Sequence, residues 1–93
     1  MLGYAFMGKA HARAYRMLDL LGTPLRPRLV TVAGRTEDEV AAAAARYGFE
    51  GWTSDWRELV ADDRVGLFDN SGPNGLHVEP TLAAAEAGKH VVC

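Results

Sequence analysis

The chain has almost no sulfur with which to cross-link or bind metal. Cys93 is its one cysteine, so no internal disulfide can form, and no second soft ligand stands near it to suggest zinc. It reads as a small apolar residue buried in a strand. No segment approaches the ~20 apolar residues of a membrane span, and the N-terminus lacks the basic stretch and apolar core of a signal peptide. A soluble, cytoplasmic protein is the expectation. A surplus of positive charge is missing too: the formal net charge is -2, and no basic run is interleaved with aromatics, which excludes a nucleic-acid partner on this reading. Repeats and low-complexity linkers are also lacking. What remains, 48% hydrophobic and 24% charged over 93 residues, is the composition of one small globular domain, too short for two.

Strands alternate with helices along the chain. Ala10, Ala14, Met17, Leu18 and Leu21 recur at helical spacing, so a first helix is predicted over 8–21 with Lys9, Arg13 and Arg16 toward water. Leu29-Val30-Thr31-Val32-Ala33 reads as a strand buried on both faces. Thr36-Glu37-Asp38-Glu39 has the Thr-x-x-Glu form of a capping box and starts a second helix, which ends near Tyr47 with Gly48 at the left-handed position. Ser54 or Asp55 caps a short third helix through Val60, and Val65-Gly66-Leu67-Phe68-Asp69 is the next strand. A fourth helix, 77–87, tolerates Pro80 only in its first turn. Val91 to Cys93 is a last strand. This alternation implies an α/β fold: a doubly wound parallel sheet with right-handed crossovers.

Gly3-Tyr4-Ala5-Phe6-Met7-Gly8 has the form of a dinucleotide-binding turn, with alanine where glycine usually lets the backbone approach the phosphates. Gly3 supplies the tight turn, Ala5, Phe6 and Met7 carry it into the helix whose first amides hold the anion, and Gly8 permits close helix-to-strand contact. An ordinary strand-to-helix turn is the plainer reading. Only Met1 and Leu2 precede it to represent a strand, so the chain is expected to be truncated at its start, and again after Cys93. After the second strand, Gly34-Arg35-Thr36 offers a guanidinium that pairs with a 2′-phosphate or stacks on adenine, a lean toward NADP over NAD; a solvated arginine beside a helix start explains it equally. Ser71-Gly72-Pro73-Asn74-Gly75-Leu76-His77 follows a strand and so lies at the ligand-binding edge of such sheets. Gly72 and Pro73 form a rigid turn that can meet a nicotinamide or ribose, with Asn74 or His77 presenting polar atoms. Spacing alone favours a plain helix-entry loop in which Asn74 caps and His77 is solvated. Asp69 reads equally as a loop residue bonded to its own backbone. His11 and Tyr15 share a helix face, but no nucleophile or carboxylate can be placed beside them, so His11 is expected at the surface. Trp52 and Trp56 are expected to pack, and His90 to begin the last strand.

Together these pieces resemble the N-terminal domain of the Gfo/Idh/MocA oxidoreductases. The resemblance covers the whole chain and rests on Gly3-Tyr4-Ala5-Phe6-Met7-Gly8 with His11 behind it, Ala33-Gly34-Arg35, Asp55-Trp56-Arg57-Glu58-Leu59, Pro73-Asn74-x-x-His77, and most specifically Ala84-Ala85-Glu86-Ala87-Gly88-Lys89-His90-Val91-Val92-Cys93. It implies a Rossmann-like NAD(P)-binding domain over 1–93, truncated at the first strand and after the fifth, with a C-terminal substrate domain absent. Also implied is hydride transfer between a nicotinamide and a hydroxyl-bearing carbon of a sugar, cyclitol or related polyol, in a parent that is often oligomeric. The family's Glu-Lys-Pro, whose lysine assists proton transfer, would follow Cys93, so no catalytic residue is assigned and the chain alone is not expected to turn over substrate. Gly3, Ala5, Gly8, Arg35, Pro73, Asn74 and His77 are the implied cofactor-side positions; no metal is implied. A non-catalytic dinucleotide-binding regulator is the rival, since fold does not fix function. The implied first strand belongs between those holding Val30 and Leu67, and its near-absence is expected to leave the isolated chain marginally stable.

Overall fold

The computed structural model describes residues Met1–Cys93. Helix α1 (Phe6–Met17) runs into a 3-10 turn at Leu18–Leu21, and is followed by β1 (Thr31–Ala33), α2 (Glu37–Tyr47), β2 (Gly51–Thr53), α3 (Trp56–Ala61) and β3 (Leu67–Asp69). A second 3-10 turn, Asn74–Leu76, leads into α4 (Val78–Glu86), and β4 (His90–Val92) ends the order. Strand β1 pairs in parallel with β2, and β3 in parallel with β4. Leu2 joins the two pairs through parallel bridges to Ala33 and Asn70; its amide donates to Asp69 O at 2.7 Å and its carbonyl accepts from Ser71 N at 2.8 Å. The spatial order is therefore β2-β1-Leu2-β3-β4, the doubly wound arrangement expected, with Leu2 at the centre.

Each face of the sheet carries its own core. Met1, Ala12, Val32, Val40 and Ala44 pack under α1 and α2; Leu2, Ala33, Leu59, Phe68 and Ala84 pack under α3 and α4. Gly48 and Gly88 close α2 and α4 at φ +87 and +78, where a Cβ would be strained, and Pro80 lies buried in the first turn of α4. Asp55 Oδ1 caps α3 by accepting from Arg57 N at 3.0 Å. Lys89 turns its ammonium inward to donate to the carbonyls of Asp62 and Val65, tying the end of α3 to the start of β4.

Several expectations are corrected. The buried side of α1 is Gly8 and Ala12, while Ala10, Ala14, Met17 and Leu21 are exposed, because Gly8 pressed against Gly3 O sets the rotation of the helix and turns the position four residues on inward. Thr36 stands at the α2 N-cap without a side-chain cap bond, and Glu39 turns instead to Tyr4, so no capping box forms. Strand β2, absent from the sequence reading, carries Trp52 on the sheet edge, where it is exposed rather than packed. Trp56 is half-buried under the Arg57 guanidinium, 4.5 Å from the ring centroid. Cys93 lies exposed just beyond β4, not buried within it.

Candidate dinucleotide site

The topology sets the site. The chain passes outward from Leu2 to β1 and β2, then crosses to β3 and β4, so the carboxyl ends of Leu2, β1 and β3 open onto the crevice where open α/β sheets bind ligands. Gly3 leaves Leu2 at φ +95, and a Cβ there would lie 2.5 Å from Ser71 O. A Cβ on Gly8 would strike Gly3 O, so α1 begins pressed against the turn. Ala5 occupies the N-cap with extended backbone and no side-chain cap, and no acidic residue sits in the first turn of α1. The amides of Phe6, Met7 and Gly8 therefore have no acceptor within the protein and end a helix whose positive pole is not countered. Such a cradle fits a diphosphate.

Two elements flank the turn. On the β1 side, a Cβ on Gly34 would meet the Tyr4 ring; Tyr4 donates its phenol to Glu39 Oε2 at 2.6 Å, and Tyr47 donates to Tyr4 O at 2.8 Å. The Glu39 carboxylate accepting that proton holds the Tyr4 phenol above its usual range. Arg35 is exposed and makes no ion pair. On the β3 side, Asn70 is buried and organises the loop: its amide nitrogen donates to Leu76 O at 2.8 Å and Thr81 Oγ1 at 3.1 Å, and Gly72 N donates to its Oδ1 at 3.2 Å. His77 is not simply solvated, since its Nε2 meets Gly72 O at 2.8 Å and closes the loop from the other end. Asn74 does not cap: its side chain is exposed and only its carbonyl is used, by His77 N. Pro73 is exposed beside it. Gly3, Gly8, Gly34, Gly72 and His77 thus converge through direct neighbours, whereas Arg35, Pro73 and Asn74 stand on the rims.

Beneath the loop lies a cluster that sequence reasoning missed. Asp69, 2% exposed, is neither a loop residue nor bonded to its own backbone through its side chain. It accepts from Tyr15 Oη at 2.7 Å and Ser71 Oγ at 2.8 Å, and His11 Nδ1 lies 2.9 Å from Oδ2 and 3.0 Å from Oδ1. Two carboxylate oxygens facing one ring nitrogen assign the proton to Nδ1. His11 is accordingly not a free surface histidine but the half-buried partner of buried Asp69, in a pair that bolts α1 to β3. The signal in the sequence was the four-residue spacing that puts His11 and Tyr15 on one face of α1, the two side chains that meet Asp69.

Burial first, and then the Asp69 carboxylate beside it, push the Tyr15 phenol well above its usual range. Folding therefore favours the neutral phenol, a contribution fully present below the unfolded value of about 10 and lost as pH climbs through the higher folded value. Urea unfolding of wild type and Tyr15→Phe at about pH 8 and about pH 11 checks this. The stability gap between them is expected to narrow at the higher pH.

No helix is long and apolar enough to cross a membrane, and no three His, Cys, Asp or Glu side chains group to hold a metal. A family model for oxidoreductases with an NAD-binding Rossmann fold matches residues 1–93. Levoglucosan dehydrogenase of Pseudarthrobacter phenanthrenivorans is 42% identical over 95 residues, covering all of this chain and 24% of that protein. The D-xylose 1-dehydrogenase (NADP(+)) 2 of Haloferax volcanii is 36% identical over 62 residues, 67% of this chain and 19% of its own length. A solved structure of levoglucosan dehydrogenase in complex with NADH superposes with a TM-score of 0.95 at 42% identity, over 99% of this chain and 25% of that one. The chain spans about a fifth to a quarter of the length of these relatives.

Proposed function

Because the chain belongs to the Gfo/Idh/MocA oxidoreductase family and forms its NAD-binding Rossmann fold, we propose that residues 1–93 are the dinucleotide-binding part of an enzyme that moves hydride between a nicotinamide and a hydroxyl-bearing carbon of a sugar or related polyol. The carrying observation is the cradle at Gly3 and Gly8, where backbone crowds too closely for any side chain beside free first-turn amides. Ala5, Phe6, Met7 and Gly8 would hold the diphosphate, Gly34 and Arg35 would border the adenosine, and Gly72, Pro73, Asn74 and His77 would border the nicotinamide half. When bound, the nicotinamide supplies the hydride acceptor or donor. This chain's own residues bind and orient it, and the substrate-binding half would lie in another domain of the polypeptide. Relatives named for levoglucosan and D-xylose support the substrate class.

The full-length protein is expected to bind NADH or NADPH with an enhancement of nicotinamide fluorescence, and to change nicotinamide absorbance with at least one member of a panel of sugars, anhydrosugars and cyclitols. Nucleotide binding without turnover across the panel would favour a regulator. Absence of binding would remove the reading altogether.

A further inference from the structure

Dinucleotide folds commonly place an acidic residue about 20 residues beyond the glycine-rich turn, where its carboxylate accepts the ribose 2′-hydroxyl. Here the corresponding strand end is Gly34, which carries no acid, and the Tyr4 ring occupies the space a Cβ there would take. Tyr4 is fixed at both ends: Tyr47 holds its carbonyl, and its hydroxyl donates to Glu39 Oε2 at 2.6 Å. Glu39 lies in the first turn of α2, so Tyr4 draws a carboxylate from that helix to the place beside Gly34. Its second oxygen, Oε1, has no hydrogen-bond partner in the protein. We propose that Glu39, positioned by Tyr4, takes the part of the missing strand-end acid, accepting a ribose hydroxyl through Oε1 and thereby selecting NAD over NADP.

The inference rests on the dinucleotide reading above and deepens it. Charge decides the preference. Between residues 34 and 39 the one cation is Arg35, against Glu37, Asp38 and Glu39. A 2′-phosphate brings close to two further negative charges near neutral pH. One exposed guanidinium in water does not offset repulsion from a held carboxylate, and the Tyr4 hydroxyl, a donor the phosphate would need, is already committed to Glu39. The lean toward NADP rested on Arg35 taken alone, and its surroundings reverse it; Arg35 is left to stack on adenine.

Dissociation constants of NADH and NADPH, measured by fluorescence titration on full-length wild type, Glu39→Gln and Tyr4→Phe, test this. Wild type is expected to prefer NADH. Glu39→Gln is expected to lower the NADH-to-NADPH preference about tenfold or more, the effect of removing a charged hydrogen-bond acceptor and a repulsion together. Tyr4→Phe keeps the ring over Gly34 but releases the carboxylate, so a smaller shift in the same direction is expected. Wild-type preference for NADPH, or a ratio unchanged in Glu39→Gln, or equal weakening of both nucleotides in it, would overturn the assignment while leaving nucleotide binding intact. Failure of wild type to bind either nucleotide would instead overturn the reading beneath it.

Discussion

Replacing Asp69 with alanine is expected to cost about 3 kcal/mol of folding stability, read as the shift in urea unfolding free energy. The carboxylate is 2% exposed and receives Tyr15, Ser71 and His11 from two separate parts of the fold. Truncation removes the shared acceptor of all three: Tyr15 is left with none, and Ser71 Oγ and His11 Nδ1, 3.1 Å apart, keep only each other. An orphaned buried donor costs about 1–3 kcal/mol, and half-buried groups that recover water sit at the low end of that range. Asp69→Asn has nearly the same shape but points an amide NH2 at hydroxyl and imidazole donors, so it is expected to lose more than half as much. Adding Tyr15→Phe to Asp69→Asn removes one of the stranded donors. The pair should therefore cost less than the sum of the single changes, a coupling that a double-mutant cycle reads directly. Additive losses would show that Tyr15 and Asp69 do not act as a unit.

The same network explains where the sequence was legible and where it was not. Local chemistry announces itself locally. The β-branched run that gives β1, the glycine that closes α2, the aspartate that caps α3 and the proline confined to the first turn of α4 all act within a few residues of themselves. Even the central place of Leu2 follows from connectivity, once strands and helices alternate. The Asp69 cluster is different in kind: His11 and Asp69 are 58 positions apart, and no spacing rule connects them until the sheet brings α1 over β3. Helix α1 misled for a related reason. Its apolar residues at Ala10, Ala14 and Met17 promised a buried face, but the contact of Gly8 with Gly3 fixes the rotation of the helix and brings Ala12 inward instead. Strand β2 was hidden because Gly51-Trp52-Thr53, set between Glu50 and Ser54, lacks the apolar run that marks the other strands. Glu39 looked like half of a capping box, and only the fold reveals that Tyr4 claims it.

Gly3→Ala is expected to weaken dinucleotide binding by the full-length protein about tenfold or more, and to lower stability by about 2 kcal/mol. Two separate costs meet at this position. The backbone sits at φ +95, outside what L side chains adopt readily, and the new Cβ would lie 2.5 Å from the Ser71 carbonyl oxygen. Relieving the second means parting the turn from residues 71–72, and so shifting the α1 first-turn amides that would hold the phosphates. Gly8→Ala separates the causes. Its backbone is helical, and alanine gains about 1 kcal/mol over glycine in a helix, yet its Cβ would strike Gly3 O, so the turn must again move. Gly22→Ala isolates the other term: φ is +64 but nothing lies within 4 Å, so a cost of about 1 kcal/mol is expected with nucleotide affinity unchanged. If binding instead fell in Gly22→Ala as it does in Gly3→Ala, general destabilisation rather than the shape of the cradle would account for the loss. If Gly8→Ala bound as well as wild type, close approach between helix and turn would not be what holds the phosphates.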